Sequence, residues 1–222
     1  PGRVDSYQPA GDLYVEFNHD GYWEYSRSLD LEHAEATVSY GTATATFHRE
    51  YIAHLTEDLI LARFHAEGKP FTCTLWLDRI FSPDCRIAHQ VCYNKLIMTG
   101  DIENGIDFQI EADIQATGGR LEVDESRARL ALIDMTDVVV AINIGTSANG
   151  GSAADECAEK KLSTDPNLCP EPCRELRRQS DRQSSRQSFQ ITENTKQCAE
   201  IKMNWEKLRQ THRAEYASHY GS

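Results

Sequence analysis

The sequence predicts a mainly β protein, a large two-sheet antiparallel sandwich of the supersandwich type, followed by a polar loop and a long C-terminal α-helix. Three observations support this fold class. Apolar and polar residues alternate in many short segments, turn signals recur every roughly 8–12 residues, and the apolar period changes to three or four near the C-terminus. No ten-residue helical pattern interrupts Leu13–Ile144, so βαβ units are not expected.

The strand predictions follow the period-two alternation. Leu13, Val15 and Phe17 alternate with polar or amphipathic neighbours, which is typical of a half-buried strand. A hairpin is predicted around Gly41, with Ala36–Tyr40 and Thr42–Tyr51 as its arms. Further strands are predicted at Leu59–Phe64, Phe71–Leu77, Lys95–Thr99, Ile106–Ala116, Arg120–Val123, Ala128–Leu132 and Val138–Ile144, with a tight turn at Gly118-Gly119.

Composition divides the chain into three parts. Residues 1–147 are predicted to form the sandwich domain, and residues 148–194 a linker and a polar insertion that is solvated or disordered. Residues 195–222 are predicted to form the helix. Its apolar stripe steps by three or four through Cys198, Ile201, Trp205, Leu208, His212, Tyr216 and His219.

Charge excludes some functions. The chain has 35 acidic and 23 basic residues, a net charge of −12, and a pI near 5.1. This acidity argues against binding to a nucleic-acid backbone, which requires a basic footprint. It is compatible with a neutral, hydroxyl-rich ligand, although an acidic surface by itself serves solubility. No apolar run reaches the roughly 18 residues of a membrane-spanning helix.

Carboxylate clusters are the first candidates for catalysis, because glycoside cleavage uses an acid and a base that flank the bond. The densest groups are Asp12 with Glu16, and Asp101 with Glu103 and Asp107. Nothing in the sequence isolates one of these carboxyls in an apolar pocket that would raise its pKa. We therefore interpret them as solvent-facing residues and predict no catalytic residue.

Histidine and cysteine spacing predicts no metal site and no cofactor. The eight histidines contain no H-E-x-x-H pattern. The seven cysteines include Cys169 and Cys173, with three residues between them, and Cys157 and Cys198 nearby. A zinc knuckle, a disulfide involving Cys169 or Cys173, and unpaired thiols remain alternatives there. Cys73 alternates with apolar neighbours and is predicted to be a buried thiol.

Aromatic residues are the candidates for direct ligand contact. Tyr22, Trp23 and Tyr25 form the densest cluster, next to a turn, and sugar rings stack on such side chains. The alternative is that Trp23 or Tyr25 packs into the sandwich core. We retain all three as carbohydrate-contact candidates.

Several segments carry a resemblance to a known family. Tyr7–Phe17 reads YQPAGDLYVEF, and Tyr25–Ala34 reads YSRSLDLEHA. With later segments, they resemble the N-terminal β domain and linker helix of glycoside hydrolase family 95, the α-L-fucosidases. The later segments are Ala36–Tyr40, Phe47–Tyr51, Asp58–Phe64, Gly118-Gly119, Asp137–Ser147 and Trp205–Tyr220.

The resemblance implies a division of labour. In that family the catalytic groups belong to an (α/α)6 barrel downstream of the linker helix, and no position of this chain matches them. The chain therefore looks like a fragment that lacks the barrel. It would scaffold the barrel of an enzyme that hydrolyses α-L-fucosides with inversion. The implied partners are a fucosylated glycan and that barrel, with no nucleic acid and no membrane. The implied location is extracellular or secretory.

Three alternatives stay open. The chain could be a stand-alone carbohydrate-binding module that uses Tyr22 and Trp23, or an interaction protein that uses the stripe of its C-terminal helix. It could also resemble the neighbouring (α/α)6 phosphorylases and hydrolases with a similar N-terminal domain, although YQPAGDL favours the fucosidase branch.

Overall fold

The computed structural model describes residues 8–19, 21–103, 105–147 and 204–220. These residues form ten β-strands and one α-helix. The strands are β1 Asp12–Phe17, β2 Trp23–Asp30, β3 Glu35–Gly41, β4 Ala45–His54, β5 Leu59–Gly68, β6 Phe71–Asp78, β7 Cys85–Cys92, β8 Lys95–Ile102, β9 Phe108–Asp124 and β10 Arg129–Thr146. The helix is α1, Trp205–Tyr220.

Strand β10 connects two layers of antiparallel sheet. The larger layer has the order β2-β3-β4-β5-β10-β9-β8-β7, while β1 pairs with β6 and β6 pairs with β10. The first part of β10, Leu130–Met135, pairs with β6, and the later part, Asp137–Ile142, pairs with β5. This architecture confirms the predicted fold class, a β-sandwich followed by a helix.

The predicted turn at Gly118-Gly119 is wrong. Both glycines lie inside β9, which pairs with β10 along its whole length, and the register shifts opposite them between Met135 and Asp137. Gly118 has φ +94° and Gly119 has φ +37°. Such a bulge bends a strand instead of reversing it. The separately predicted segments on either side are therefore continuous long strands that pass from one layer to the other.

The core lies between the two layers. Phe17 of β1 contacts Phe47, Phe64 and Phe71, with ring centroids 6.0, 5.7 and 5.8 Å away, respectively. Aromatic rings at such separations add attraction beyond simple area burial. Leu75, from the middle of β6, is completely buried in the same cluster. The alternation predicted for Phe71–Leu77 is confirmed, including the buried free thiol of Cys73.

The opposite face of the larger layer is covered by α1. A second buried cluster joins Trp205 and Leu208 of the helix to apolar residues of the sheet, which are Ile52, Leu59, Leu61, Val139 and Ala141. Successive strand residues point to opposite faces. Strands β5 and β10 are thus buried on both sides, which explains why Leu59–Phe64 and Val138–Ile144 are apolar except for Arg63 and Asn143.

Helix α1 begins next to Asn204, whose Oδ1 accepts a hydrogen bond from the Lys207 backbone N–H at 3.1 Å. This is an N-cap interaction. Along the predicted stripe, Trp205, Leu208 and His212 are buried, whereas His219 is exposed. The stripe is therefore confirmed for its central part, and the prediction for His219 is wrong because all four residues of the last turn, 217–220, are exposed. Its earlier members, Cys198 and Ile201, lie outside the described residues.

One strand was missed by the sequence analysis, and one predicted segment cannot be compared with the structure. Strand β7 was not predicted, because half of its residues are exposed and it pairs only with β8 at the margin of the sheet. The polar insertion predicted within residues 148–194 lies outside the described residues.

Among the described residues, no helix has both the length and the apolar character needed to cross a membrane.

The bend at Gly119 yields a stability prediction. A Cβ at this position would collide with the carbonyl oxygen of Ile133, and φ +37° disfavours an L-residue. We expect Gly119→Ala to lower the unfolding free energy by about 2–4 kcal/mol, from backbone strain plus overpacking. The measurement is urea denaturation of the chain.

Gly21→Ala is the matched control, because Gly21 has φ +72° but no atom within 4 Å of the added Cβ. It should cost only the left-handed backbone penalty, about 1–2 kcal/mol. Equal costs for the two variants would contradict the steric account of the bend.

Candidate functional site

The predicted aromatic residues lie at the start of β2, the edge strand of the larger layer. Tyr22, Trp23 and Tyr25 are 66%, 51% and 52% exposed, so none is a core residue. The register between β2 and β3 shifts between Trp23 and Ser26, and Glu24 has φ +52°. This bulge separates the directions in which the three side chains point.

The structure brings the two tyrosines together. Tyr22 and Tyr25 have ring centroids 5.9 Å apart, and they lie 5.9 and 6.4 Å from the ring of Tyr40, a buried residue of β3. Trp23 instead lies against Gly41, where an added Cβ would be 2.6 Å from the indole nitrogen. Because Tyr40 and Gly41 are adjacent strand residues, Trp23 lies on the opposite face from the tyrosine pair.

Trp23 borders a shallow depression of about 310 Å³. Its polar lining includes Ser39, Thr46 and Glu67. An exposed indole beside hydroxyl and carboxylate groups offers an apolar face together with hydrogen-bonding groups. Those are the two features that a sugar-binding surface combines.

The best-formed polar arrangement joins α1 to the sheet through Glu35, the first residue of β3. The Arg209 Nε and Nη2 atoms donate to Glu35 Oε2 at 3.0 and 2.7 Å. The Arg213 Nε atom donates to Oε1 at 2.5 Å, and its Nη2 donates to Oε2 at 2.8 Å. The arginines are four residues apart and so share one helix face. We call this arrangement the Glu35 clamp.

Burial of the Glu35 carboxylate would by itself raise its pKa, because it disfavours the charged form. Its side chain is 5% exposed. The hydrogen bonds and charges of Arg213 and Arg209 outweigh that effect and lower the pKa from 4.5 to about 2. The Glu35 clamp is therefore ionised at neutral pH and holds the helix by charge-assisted bonds.

A second ionic group extends the clamp. Arg63 of β5 donates to Asp137 of β10 at 2.5 Å and approaches Glu50 of β4 at 3.4 Å. Glu50 also lies 3.2 Å from Arg209, so it links the sheet network to the helix. Arg63 reaches Glu206 of the helix at 3.4 Å as well. The hydrogen bond that Arg63 donates to Asp137 is the main cause that raises the pKa of Arg63.

The later half of α1 contacts two turns of the sheet. The His212 Nε2 atom donates to the His33 carbonyl oxygen at 2.9 Å, in the β2–β3 turn. Glu215 Oε2 accepts from the Thr56 backbone N–H at 3.3 Å, in the β4–β5 turn. The helix is thus held along most of its length, by apolar contacts near its start and polar contacts further on.

The other sequence candidates lie apart from these sites. The carboxylates of Asp12, Glu16, Asp101, Glu103 and Asp107 are exposed, consistent with the solvent-facing interpretation. Cys92 is disulfide-bonded, while Cys73 and Cys85 are free. The predictions for Cys157, Cys169, Cys173 and Cys198 fall outside the described residues.

Sequence reasoning missed the Glu35 clamp. Glu35 and Arg209 are separated by 174 positions, and no local pattern links them. The sequence signal that could have indicated the helix side of the clamp is the pair Arg209 and Arg213, four residues apart beside the apolar stripe of α1.

The comparisons place the sandwich part of this chain in a family. Residues 1–151 match the family model for the glycosyl hydrolase family 65 N-terminal domain. The chain belongs to this family of glycoside hydrolase N-terminal domains. The predicted kind of domain is confirmed, while the family number 95 is not confirmed by this match.

Two individual proteins are similar to the chain. Alpha-L-fucosidase 2 of Arabidopsis thaliana is 43% identical over 70 residues, which is 30% of this chain and 8% of that protein. A solved structure described as "Putative kojibiose phosphorylase from human microbiome" matches with TM-score 0.53 and 9% identity, over 91% of this chain and 27% of that one. At that identity the structural match supports the fold alone. The chain spans only a minor part of both proteins.

The Glu35 clamp predicts a specific pH dependence. Because the folded pKa is about 2 and the unfolded value 4.5, the clamp contributes fully above about pH 4.5 and is lost as the pH falls towards 2. That difference corresponds to at most roughly 3 kcal/mol, reduced by the partial exposure of the arginines. We expect Glu35→Gln to lower the unfolding free energy at pH 7 by about 2–3 kcal/mol.

The measurement is urea denaturation of both proteins between pH 2 and pH 7. The two stabilities should converge at low pH, because the wild-type carboxylate is then protonated. Glu16→Gln, at an exposed position of β1, is the control and should stay close to wild type throughout. A Glu35→Gln curve parallel to that of the wild type would contradict the account.

Proposed function

We propose that this chain is the non-catalytic N-terminal portion of an α-L-fucosidase-like glycoside hydrolase. The whole protein would hydrolyse α-L-fucosides of the α-1,2 type with inversion. The 43% identity over 70 residues with alpha-L-fucosidase 2 supports the substrate class, within a family of glycoside hydrolase N-terminal domains. In an inverting reaction one carboxylic acid protonates the leaving oxygen, while a second carboxylate activates water on the opposite face. We assign both groups to a catalytic domain outside this chain.

The docking of α1 is the observation that carries the scaffold role. The Glu35 clamp and the Trp205–Leu208 contacts make the helix part of the domain. A chain that leaves the sandwich through a docked helix enters the next domain with a defined position and direction. The same contacts disfavour the alternative in which the helix is an interaction motif, because its apolar stripe is already covered by the sheet.

Exposed apolar side chains gather at the end of the sheet where α1 ends. Leu29 and Leu31 lie at the β2–β3 turn, Leu55 lies at the β4–β5 turn, and Tyr220 is the last residue of the helix. Their two turns are the ones that His212 and Glu215 contact. We propose that this end of the domain packs against the catalytic domain, since clustered exposed apolar residues often mark an interface.

Fucose release tests this function. The purified chain and a version extended into the proposed catalytic domain would be incubated with an α-1,2-fucosylated oligosaccharide. We expect release only by the extended protein, because the acid and base lie there. Release by the chain above a heat-inactivated control would contradict the division of labour. An extended protein that is folded but inactive on α-fucosides would contradict the substrate class.

Carbohydrate binding by the sandwich itself is a second candidate function. The exposed indole of Trp23 beside a depression with polar lining favours it. Stacking on an aromatic ring, together with hydrogen bonds between the sugar hydroxyls and Ser39, Thr46 and Glu67, would then hold one neutral sugar unit.

Trp23→Ala tests this candidate, because it removes the stacking surface without opening the core. We expect at least about tenfold weaker binding of a fucosylated oligosaccharide in calorimetry, which corresponds to the loss of one stacking contact. Tyr220→Ala, also an exposed aromatic residue but on α1, is the control and should bind normally. Unchanged affinity in Trp23→Ala would contradict a sugar site at this position.

A further inference from the structure

A compact group of three potential metal ligands lies on the outer face of the larger layer, beyond the part that α1 covers. His48 of β4 and His65 of β5 stand directly opposite each other in the strand register. Their rings stack with centroids 4.7 Å apart and an interplanar angle of 18°. Glu67 is two residues after His65 on β5, so its side chain points to the same face.

The ring nitrogens in this group are shielded but unpaired. The His48 Nε2 and His65 Nδ1 atoms are buried from solvent and make no hydrogen bond within the described residues. The nearest carboxylate oxygens are Glu67 Oε1, 3.9 Å from His48 Nε2, and Glu50 Oε2, 3.9 Å from His65 Nδ1. These separations are too long for hydrogen bonds. Because shielded polar atoms in native proteins nearly always have a partner, both nitrogens are available to coordinate a ligand.

We propose that His48, His65 and Glu67 bind a divalent transition-metal ion of the zinc class. One ligand atom from each residue lies within 4.8 Å of the others. Tetrahedral zinc with bonds of about 2.0–2.2 Å holds its ligands roughly 3.4 Å apart. The Glu67 side chain is 76% exposed, so its carboxylate can rotate towards His48 Nε2 from the 3.9 Å seen in this structure. The strand pairing already fixes the two imidazoles.

The local charges suit a cation of this kind. Imidazole and carboxylate together match the preference of zinc and its neighbours, whereas calcium and magnesium prefer oxygen ligands alone. Glu50 adds a second carboxylate, 3.9 Å from His65 Nδ1, and offsets the charge of Arg63.

Three protein ligands leave one position of a tetrahedral ion for water. Glu67 also lines the depression beside Trp23. The fourth coordination position of the ion would therefore face this depression. The proposal does not depend on the fucosidase function. Sequence spacing missed the site because its histidines are 17 positions apart and meet only through the pairing of β4 with β5.

Cobalt is the probe for this site, since tetrahedral Co²⁺ gives an intense visible absorption that octahedral Co²⁺ lacks. The full chain, with its Cys92 disulfide left intact, would be stripped with a chelator and titrated with Co²⁺, and then with Zn²⁺ in competition. We expect a tetrahedral spectrum that His48→Ala and His65→Ala each remove, with at least about 100-fold weaker binding. Zn²⁺ should also raise the melting temperature of the wild type but not of these variants.

Two further variants keep the test decisive. Glu67→Gln alters an exposed side chain, so it should preserve the fold while weakening the ion by at least about tenfold. His89→Ala, a partly exposed histidine of β7 outside the cluster, should behave as wild type. The proposal is overturned if the cobalt spectrum and the Zn²⁺ melting shift are absent in the wild type. Persistence of both in folded His48→Ala, His65→Ala and Glu67→Gln variants would overturn it equally.

Discussion

The docking of α1 depends on one buried carboxylate. Glu35 is almost fully shielded, and leaving its charge unpaired there would be strongly unfavourable. Two arginines from a single helix face satisfy both of its oxygens. The helix therefore cannot leave the sheet without exposing the apolar cluster around Trp205 and stranding this charge. A helix of 16 residues would be marginal on its own, so its stability comes from this surface.

That constraint organises the rest of the domain. Because one face of the larger layer is covered by the helix and the other by β1 and β6, strands β5 and β10 become the centre of the molecule. β10 also passes between layers at the bulge opposite Gly118. The edges differ from this centre. All residues of β2, including Trp23, are exposed, and the polar end of the outer face carries His48 and His65. Both candidate ligand-binding features, Trp23 and the His48–His65 pair, thus lie outside the apolar core.

The sequence predicted what local pattern controls and missed what distant contacts control. Alternation at Phe71–Leu77 and the stripe at Trp205, Leu208 and His212 are local, so the strand and the helix were predicted correctly. Gly118-Gly119 was misread because a glycine pair marks a bulge or a turn equally well, and only the pairing with β10 distinguishes them. Glu35 with Arg209, and His48 with His65, come together only after strand pairing and helix docking. The aromatic cluster was found, but the bulge that sends Trp23 to another face from the tyrosines was not.

These features together describe a glycoside hydrolase N-terminal domain in which the sandwich and the helix form one unit. Hydrogen–deuterium exchange of the α1 amides, followed by mass spectrometry, tests that claim most directly. The account predicts that amides of residues 208–216 exchange as slowly as those of β4 and β5 at pH 7, because they open only when the helix undocks. Exchange of α1 at the rate of an isolated peptide, with the sheet still protected, would contradict it.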